Sequence, residues 1–200
     1  MKNKTIYTLR HGETDFNKRR MVQGRGINAS LNDKGRTQAL QVYDALKHVQ
    51  IDSIYTSALV RTHETVHHFE AQKKALDGFD EISWGNQEGV ELSDEAKKLY
   101  WTTVAAWKNG RLDERVGGGE SPIQVMERQK LAMEEVLASD DKTVLICMHG
   151  RAIRILLCWL LNYPLQFMDG FDHQNCCYYK LKFSQRTFSL EEFNQVEHLK

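Results

Sequence analysis

"KTVLICMHGRAIRILLCWLLN", residues 142–162, is the stretch on which the fold turns. From Thr143 to Met148 it is apolar almost without a break, which suits a strand whose sheet is covered on both faces. The run ends in a polar residue and a glycine, His149-Gly150. "RAIRILLCWLLN" then reads as a helix that stops before Pro164, because proline and the residue before it resist helix continuation. A buried parallel strand thus leads directly into a helix, with a histidine at the junction.

The same alternation runs outward on both sides. "TIYTL" (5–9) is rich in β-formers and reads as a strand. "NDKGRTQALQVYDALKHV" (32–49) carries Ala39, Leu40, Val42, Tyr43 and Leu46 at helical spacing. "DSIYTS" (52–57) predicts a short strand, Ala58 to about Phe69 a helix, and "FDEIS" (79–83) a further strand. An amphipathic helix is expected over much of 91–108. "SPIQVMERQKLAMEEVL" (121–137) opens with Ser121 as N-cap and Pro122 at the first helical position. "NCCYYKLKF" (175–183) and "TFSLEEF" (187–193) predict a closing hairpin. Strands alternating with helices imply a three-layer α/β/α sandwich around a mostly parallel central sheet.

The chain has 200 residues, which suits one domain, 1–200, better than two. Lysine plus arginine (27) equals aspartate plus glutamate (27), so no general polyanion surface is expected and no nucleic-acid partner. The first residues lack the apolar core of a signal peptide, and the longest apolar run, "AIRILLCWLL", is too short to span a bilayer. A cytoplasmic protein with no membrane partner is the expectation. Cys147, Cys158, Cys176 and Cys177 include no C-x-x-C pair and read as reduced core residues.

Two predicted strands end alike. "TIYTL" runs into Arg10-His11-Gly12, and "TVLICM" into His149-Gly150-Arg151. Ligands of open α/β sheets sit beyond the carboxyl ends of parallel strands. If the two strands are neighbours, His11 and His149 face one pocket. Arg10 precedes one histidine, and Arg61 follows the strand "DSIYTS". Two arginines and two histidines around one point describe a site for a dianion, since the guanidinium fork matches phosphate oxygens.

"LRHGETDFN", "LNDKGRTQAL", "YTSALVRTHET", "FDEISWGNQEG", "GGES" and "MHGRAIR" occur in the order and spacing of the histidine phosphatase superfamily, the phosphoglycerate mutase-like family named for its R-H-G motif. The resemblance covers roughly residues 5 to 155. It implies that His11 is the nucleophile, forming a phosphohistidine. It assigns the phosphoryl oxygens to Arg10, Arg61, His149 and Gly150, with Asn17 and Gln23 lining the pocket and Ser57 in a corresponding edge segment. "EISWGNQEG" matches the family's acidic segment, making Glu81 the proton donor and Glu88 a structural partner. Gln87 departs from the tryptophan the family commonly has before that second glutamate. No metal and no cofactor are implied, and a dimer is common in the family.

"HETVH" (63–67) also fits the H-E-x-x-H pattern of a zinc peptidase, with Glu91 as a third ligand by spacing. The family resemblance gives that segment to Arg61, and "RTHETVHHFEAQKK" is polar on most faces. His63, His67 and His68 are therefore expected at the surface or rim. The family's mutases have a longer segment between the acidic motif and G-E-S, and an F-x-G-W segment where this chain reads "VQGRG" (22–26). Both departures favour a phosphatase acting on a small phosphorylated metabolite, resembling the broad-specificity and α-ribazole-phosphate phosphatases. A mutase dependent on 2,3-bisphosphoglycerate is the alternative. A regulatory module without chemistry is the third reading, disfavoured because Arg10, His11, Arg61, Glu81 and His149 are all present. Residues of about 83–117 are expected to form a lid, offering Trp84, Tyr100, Trp101, Trp107, Lys108 and Arg111 to a substrate.

Overall fold

The protein was analysed as a computed structural model, which describes residues 3–91 and 93–200. In chain order the elements are β1 (Lys4–Arg10), α1 (Asp15–Lys18), α2 (Asp33–Leu46), β2 (Ser53–Thr56), α3 (Val60–Thr65), β3 (Gln72–Ala75), α4 (Asp94–Lys108), α5 (Pro122–Ala138), β4 (Thr143–Met148), α6 (Gly150–Leu160), β5 (Tyr178–Ser184) and β6 (Thr187–Gln195). They form one six-stranded sheet ordered β3-β2-β4-β1-β5-β6. The ladders among β1 to β4 are parallel, and the β1–β5 and β5–β6 ladders are antiparallel.

Strand alternation divides the core into two layers. Val144, Ile146 and Met148 of β4 pack with Ile6 against α5 and α6, through Met133, Val136, Ile153 and Leu157. Leu145 and Cys147 point the other way and pack with Tyr7 and Leu9 against Val42 and Leu46 of α2. Both faces of β4 are buried, which is why its sequence shows no polar alternation. Burying one such side chain contributes about 1.5–3 kcal/mol. Helix starts follow the caps. Asn32 accepts from the Gly35 N–H, and Ser121 forms a capping box with Gln124 behind Pro122. All four cysteines are buried and free.

Two expectations need correction. "FDEIS" is not a strand. Two of its carbonyls, Asp80 O and Glu81 O, and that of Gly78 just before it are taken by one side chain, Arg128 of α5, at 2.9 Å each. The strand in this region is "QKKA" at the sheet edge, all exposed. Its lysines guard an open edge against further pairing. The helix expected over 58–69 is confined to Val60–Thr65, whereas the one expected over much of 91–108 is present as Asp94–Lys108, capped by Ser93. Leu92, within the latter expected span, lies outside the described residues.

Candidate active site

The β1–β4 pairing, in register from Thr5↔Thr143 to Arg10↔Met148, brings His11 and His149 out at one edge of the sheet. Their ring centroids lie 5.1 Å apart. The His11 backbone is clamped from both sides: its N–H donates to Met148 O, and its carbonyl accepts from Cys176 N and Asn175 Nδ2. Its Nδ1 lies 2.7 Å from Gly12 O. A carbonyl only accepts, so Nδ1 carries the proton and Nε2 keeps its lone pair. Burial, then Arg61 and Arg10, holds the imidazole well below its ordinary pKa and therefore neutral at pH 7. The turn behind it needs glycine. A Cβ at Gly12 would meet Gly35 O at 2.6 Å, and one at Gly35 would meet Glu13 O at 2.1 Å.

Arg61 is fully buried at the start of α3. It donates through Nη1 to Ile27 O (2.6 Å), through Nη2 to Gly24 O (3.2 Å) and through Nε to His149 Nδ1 (3.2 Å). Guanidinium cannot accept, so His149 Nδ1 is the acceptor and Nε2–H donates to Ser57 Oγ at 2.8 Å. Ser57, an uncertain edge position in the sequence, touches His149 directly. Burial lowers Arg61 to about 10, still charged at neutral pH. Burial, then Arg61, depresses His149 well below its ordinary value. Two of the five Arg61 N–H groups have no acceptor among the described residues.

Arg10 reaches the same edge. Its Nε is buried with no hydrogen-bond partner among the described residues, while its Nη1 lies 3.5 Å from His173 Nδ1. A buried donor left unmatched costs about 1–3 kcal/mol, so Arg10 Nε is a donor poised for an acceptor at this edge. Thr14 orients two amides. The Asn17 oxygen accepts from Thr14 N and Asn175 Nδ2, and the Gln23 oxygen accepts from Thr14 Oγ1. Both amide nitrogens are thereby left as donors. Gly150 opens α6, next to His149, and its N–H has no acceptor among the described residues.

Glu81 is buried, and its carboxylate caps α6. Oε2 accepts from Arg151 N (3.1 Å) and Oε1 from Ala152 N (2.9 Å) and Ile82 N (3.0 Å). Its oxygens are thus engaged by backbone donors immediately after His149-Gly150. Glu88 is used elsewhere, accepting from Trp84 N, Ser83 Oγ and Gly26 N. Arg128 and Glu120 of "GGES" brace the Glu81 segment: Arg128 pairs with both Glu120 oxygens, and Glu120 Oε2 also accepts from Ser83 N. Neither brace was read from the sequence. Asn175 and His173 were missed as well; the signal was the polar "DHQN" immediately before the hairpin that pairs with β1.

The zinc reading of "HETVH" is overturned. α3 ends at Thr65, so His67 is not one helical turn above His63. His63 turns to Thr56 Oγ1, and Glu64 accepts from Leu31 N at 2.6 Å. Glu91 and His67 are exposed, and among the described residues no group of three His, Cys, Asp or Glu is arranged to hold a metal ion. Of the aromatic residues in 83–117, Trp84 and Trp107 are core residues with the Arg151 guanidinium over both rings, while Trp101 is 66% exposed. No helix among the described residues is long and apolar enough to cross a membrane.

The family described as "Histidine phosphatase superfamily (branch 1)" matches residues 6–196. "Phosphoglycerate mutase-like protein 4" of Arabidopsis thaliana is 32% identical over 162 residues, 76% of this chain and 68% of that protein. "Phosphoserine phosphatase 1" of Hydrogenobacter thermophilus is 28% identical over 200 residues, 97% and 93% of the two chains. The crystal structure of the alpha-ribazole phosphatase from Shigella flexneri superposes with a TM-score of 0.83 at 20% identity, covering 96% of each chain, a likeness of fold.

Proposed function

The chain belongs to the histidine phosphatase superfamily, and we propose that within it the protein is a phosphatase that hydrolyses small phosphomonoesters through a phosphohistidine on His11. The observation that carries this reading is the Nδ1–H to Gly12 O hydrogen bond, which leaves Nε2 of a neutral imidazole as the nucleophile.

In the first step His11 Nε2 attacks phosphorus, an N–P bond forms and the ester P–O bond breaks. Charge on the phosphoryl oxygens is met by Arg10, by the two spare N–H groups of Arg61, by the Gly150, Asn17 and Gln23 donors, and by His149 once its Nε2–H turns from Ser57 Oγ to the phosphoryl group. Phosphoryl transfer needs little beyond such positioning and neutralisation. Glu81 gives its proton to the departing alkoxide. To do so it must turn an oxygen off the α6 N–H groups and towards the leaving group. In the second step water attacks phosphorus, the N–P bond breaks, and the water proton passes to Glu81, which restores neutral His11 and releases inorganic phosphate. The alcohol portion would lie under the 83–117 segment of this single domain. Between residues 19–22 and α4 is a cavity of about 420 Å³ whose walls include Arg19, Arg20, Lys97, Tyr100 and Trp101.

The test is product analysis. Hydrolysis of p-nitrophenyl phosphate should release inorganic phosphate and survive exhaustive chelation with EDTA. Interconversion of 3- and 2-phosphoglycerate primed by 2,3-bisphosphoglycerate should be slow or absent. Mutase turnover equal to hydrolysis would replace the phosphatase reading, and restoration of EDTA-abolished activity by a metal ion would remove it.

A further inference from the structure

We propose that His173 is a third imidazole of the phosphoryl site, holding Arg10 through Nδ1 and offering Nε2–H to a phosphoryl oxygen beside Gly150. This rests on the phosphoryl-transfer reading above and adds to it a residue outside the family motifs quoted earlier.

The ring of His173 spans the two strand ends. On one side Nδ1 lies 3.5 Å from Arg10 Nη1, the residue before His11. On the other the ring lies against Gly150, the residue after His149. A Cβ built at Gly150 would stand 2.6 Å from Nε2, 2.9 Å from Cδ2 and 3.3 Å from Cε1. The absence of a side chain at Gly150 is what admits the ring. Because Arg10 only donates, Nδ1 must be the acceptor, and the neutral ring then carries its proton on Nε2. Burial, then Arg10 and Arg154, depresses the pKa to about 3, so the ring stays in that neutral form. Apart from a hydrogen bond of the ring to its own backbone, no acceptor for the Nε2–H is present among the described residues. It stands beside the Gly150 N–H, which has none either, and near Arg10, whose Nε has none. A phosphoryl oxygen placed between these groups would give the buried Arg10 Nε the partner it lacks.

The loop that carries His173 is fixed independently. Asn175, two residues on, donates to His11 O and Asn17 Oδ1, and Cys176 N donates to Arg10 O. Asp172 O accepts from the Tyr179 hydroxyl. The imidazole therefore stands on a segment already bolted to the nucleophile's strand, so replacing the ring should leave that attachment in place.

Two isosteres separate the two nitrogens. Asparagine can reproduce the Nδ1 acceptor, and glutamine can reach the Nε2 donor. The probe is orthovanadate, read as its inhibition constant alongside kcat and KM for p-nitrophenyl phosphate, with the urea midpoint as a fold control. His173→Ala should weaken vanadate by on the order of ten- to a hundredfold, the worth of one hydrogen bond to a charged group. His173→Gln should recover most of that vanadate affinity. His173→Asn should recover kcat more than affinity, since it restores only the hold on Arg10. Gly150→Ala, which displaces the ring, should weaken vanadate in the wild type but add much less on top of His173→Ala. Vanadate affinity and kcat/KM within about twofold of wild type in a folded His173→Ala variant would overturn the proposal, as would equal losses in all three His173 variants. A wild type that binds vanadate without turning over the ester would sink the hydrolytic reading alone, and the vanadate comparison would still decide His173. A wild type that binds no vanadate would remove both.

Discussion

Glu81 is where residue-scale geometry makes the sharpest demand. Its oxygens are engaged with three backbone N–H groups, yet a proton donor must release one of them to the leaving group. If it does, the cost of Glu81→Gln depends on what leaves. An alkoxide needs the proton, while p-nitrophenolate barely does, and general-acid help is worth about 10²–10⁴-fold. The substitution should therefore lower kcat/KM far more on an alkyl phosphate than on p-nitrophenyl phosphate, and phosphohistidine should still form from the activated ester. Equal losses on both would show Glu81 to be only the cap of α6, and Glu88→Gln would be the next comparison. His11→Ala should remove acid-labile phosphoenzyme with every ester, detected by acid-quench trapping. At this scale the sequence was readable where chemistry adjoins a strand end. Arg10, His11, His149 and Arg61 do so and were found. His173, Asn175 and Arg128 reach the site from distant segments, and no local pattern ties them to it.

Among the elements, those with periodic apolar residues were foreseen and those made by side-chain hydrogen bonds were not. β4 and α6 carry their burial in their own composition. "QKKA" contains almost no apolar residue and is a strand only because β2 offers it a parallel edge. "FDEIS" has the composition of a strand but gives two of its carbonyls to Arg128 and the Asp80 carboxylate to Ala58 N and Arg25. Arg128 thus replaces a strand partner. Arg128→Met would strip three carbonyls of their donor and leave Glu120, 17% exposed, without its bidentate partner. A destabilisation of about 3 kcal/mol or more is expected, measured by urea unfolding, with activity falling as the Glu81 segment loosens. A loss below about 1 kcal/mol would mean the segment holds itself.

For the whole molecule, the charge at neutral pH is balanced, but protonation is not evenly shared between folded and unfolded chains. His11 and His149 are held well below the ordinary imidazole value, His173 at about 3, and His198 is lowered by burial. Unfolded, each takes up a proton as pH falls below about 6.5, and the fold refuses it. Their contribution is intact above that pH and is lost as pH falls towards the folded values. For a fully buried ring such as His11 or His149 the loss approaches about 1.4 kcal/mol per pH unit. The urea midpoint should fall between pH 7 and pH 5 in phosphate-free buffer, and less steeply in His173→Asn. A flat profile would contradict the neutral site. Asp169 and Glu120, both lowered by their arginine partners, stay ionised through that window and do not mask it.

The strand order carries one more consequence. β1, which ends at His11, lies between β4 and β5, and both are made more than 130 residues later on the ribosome. Until Asn175 and Cys176 have emerged, the backbone around His11 lacks half of its hydrogen-bond partners. A nascent chain halted after α5 would hold the R-H-G segment without a seat, whatever helices it had already formed. Contacts so distant along the chain make folding slow, and His11 can take its place between Met148, Asn175 and Cys176 only when nearly all of the polypeptide has been delivered.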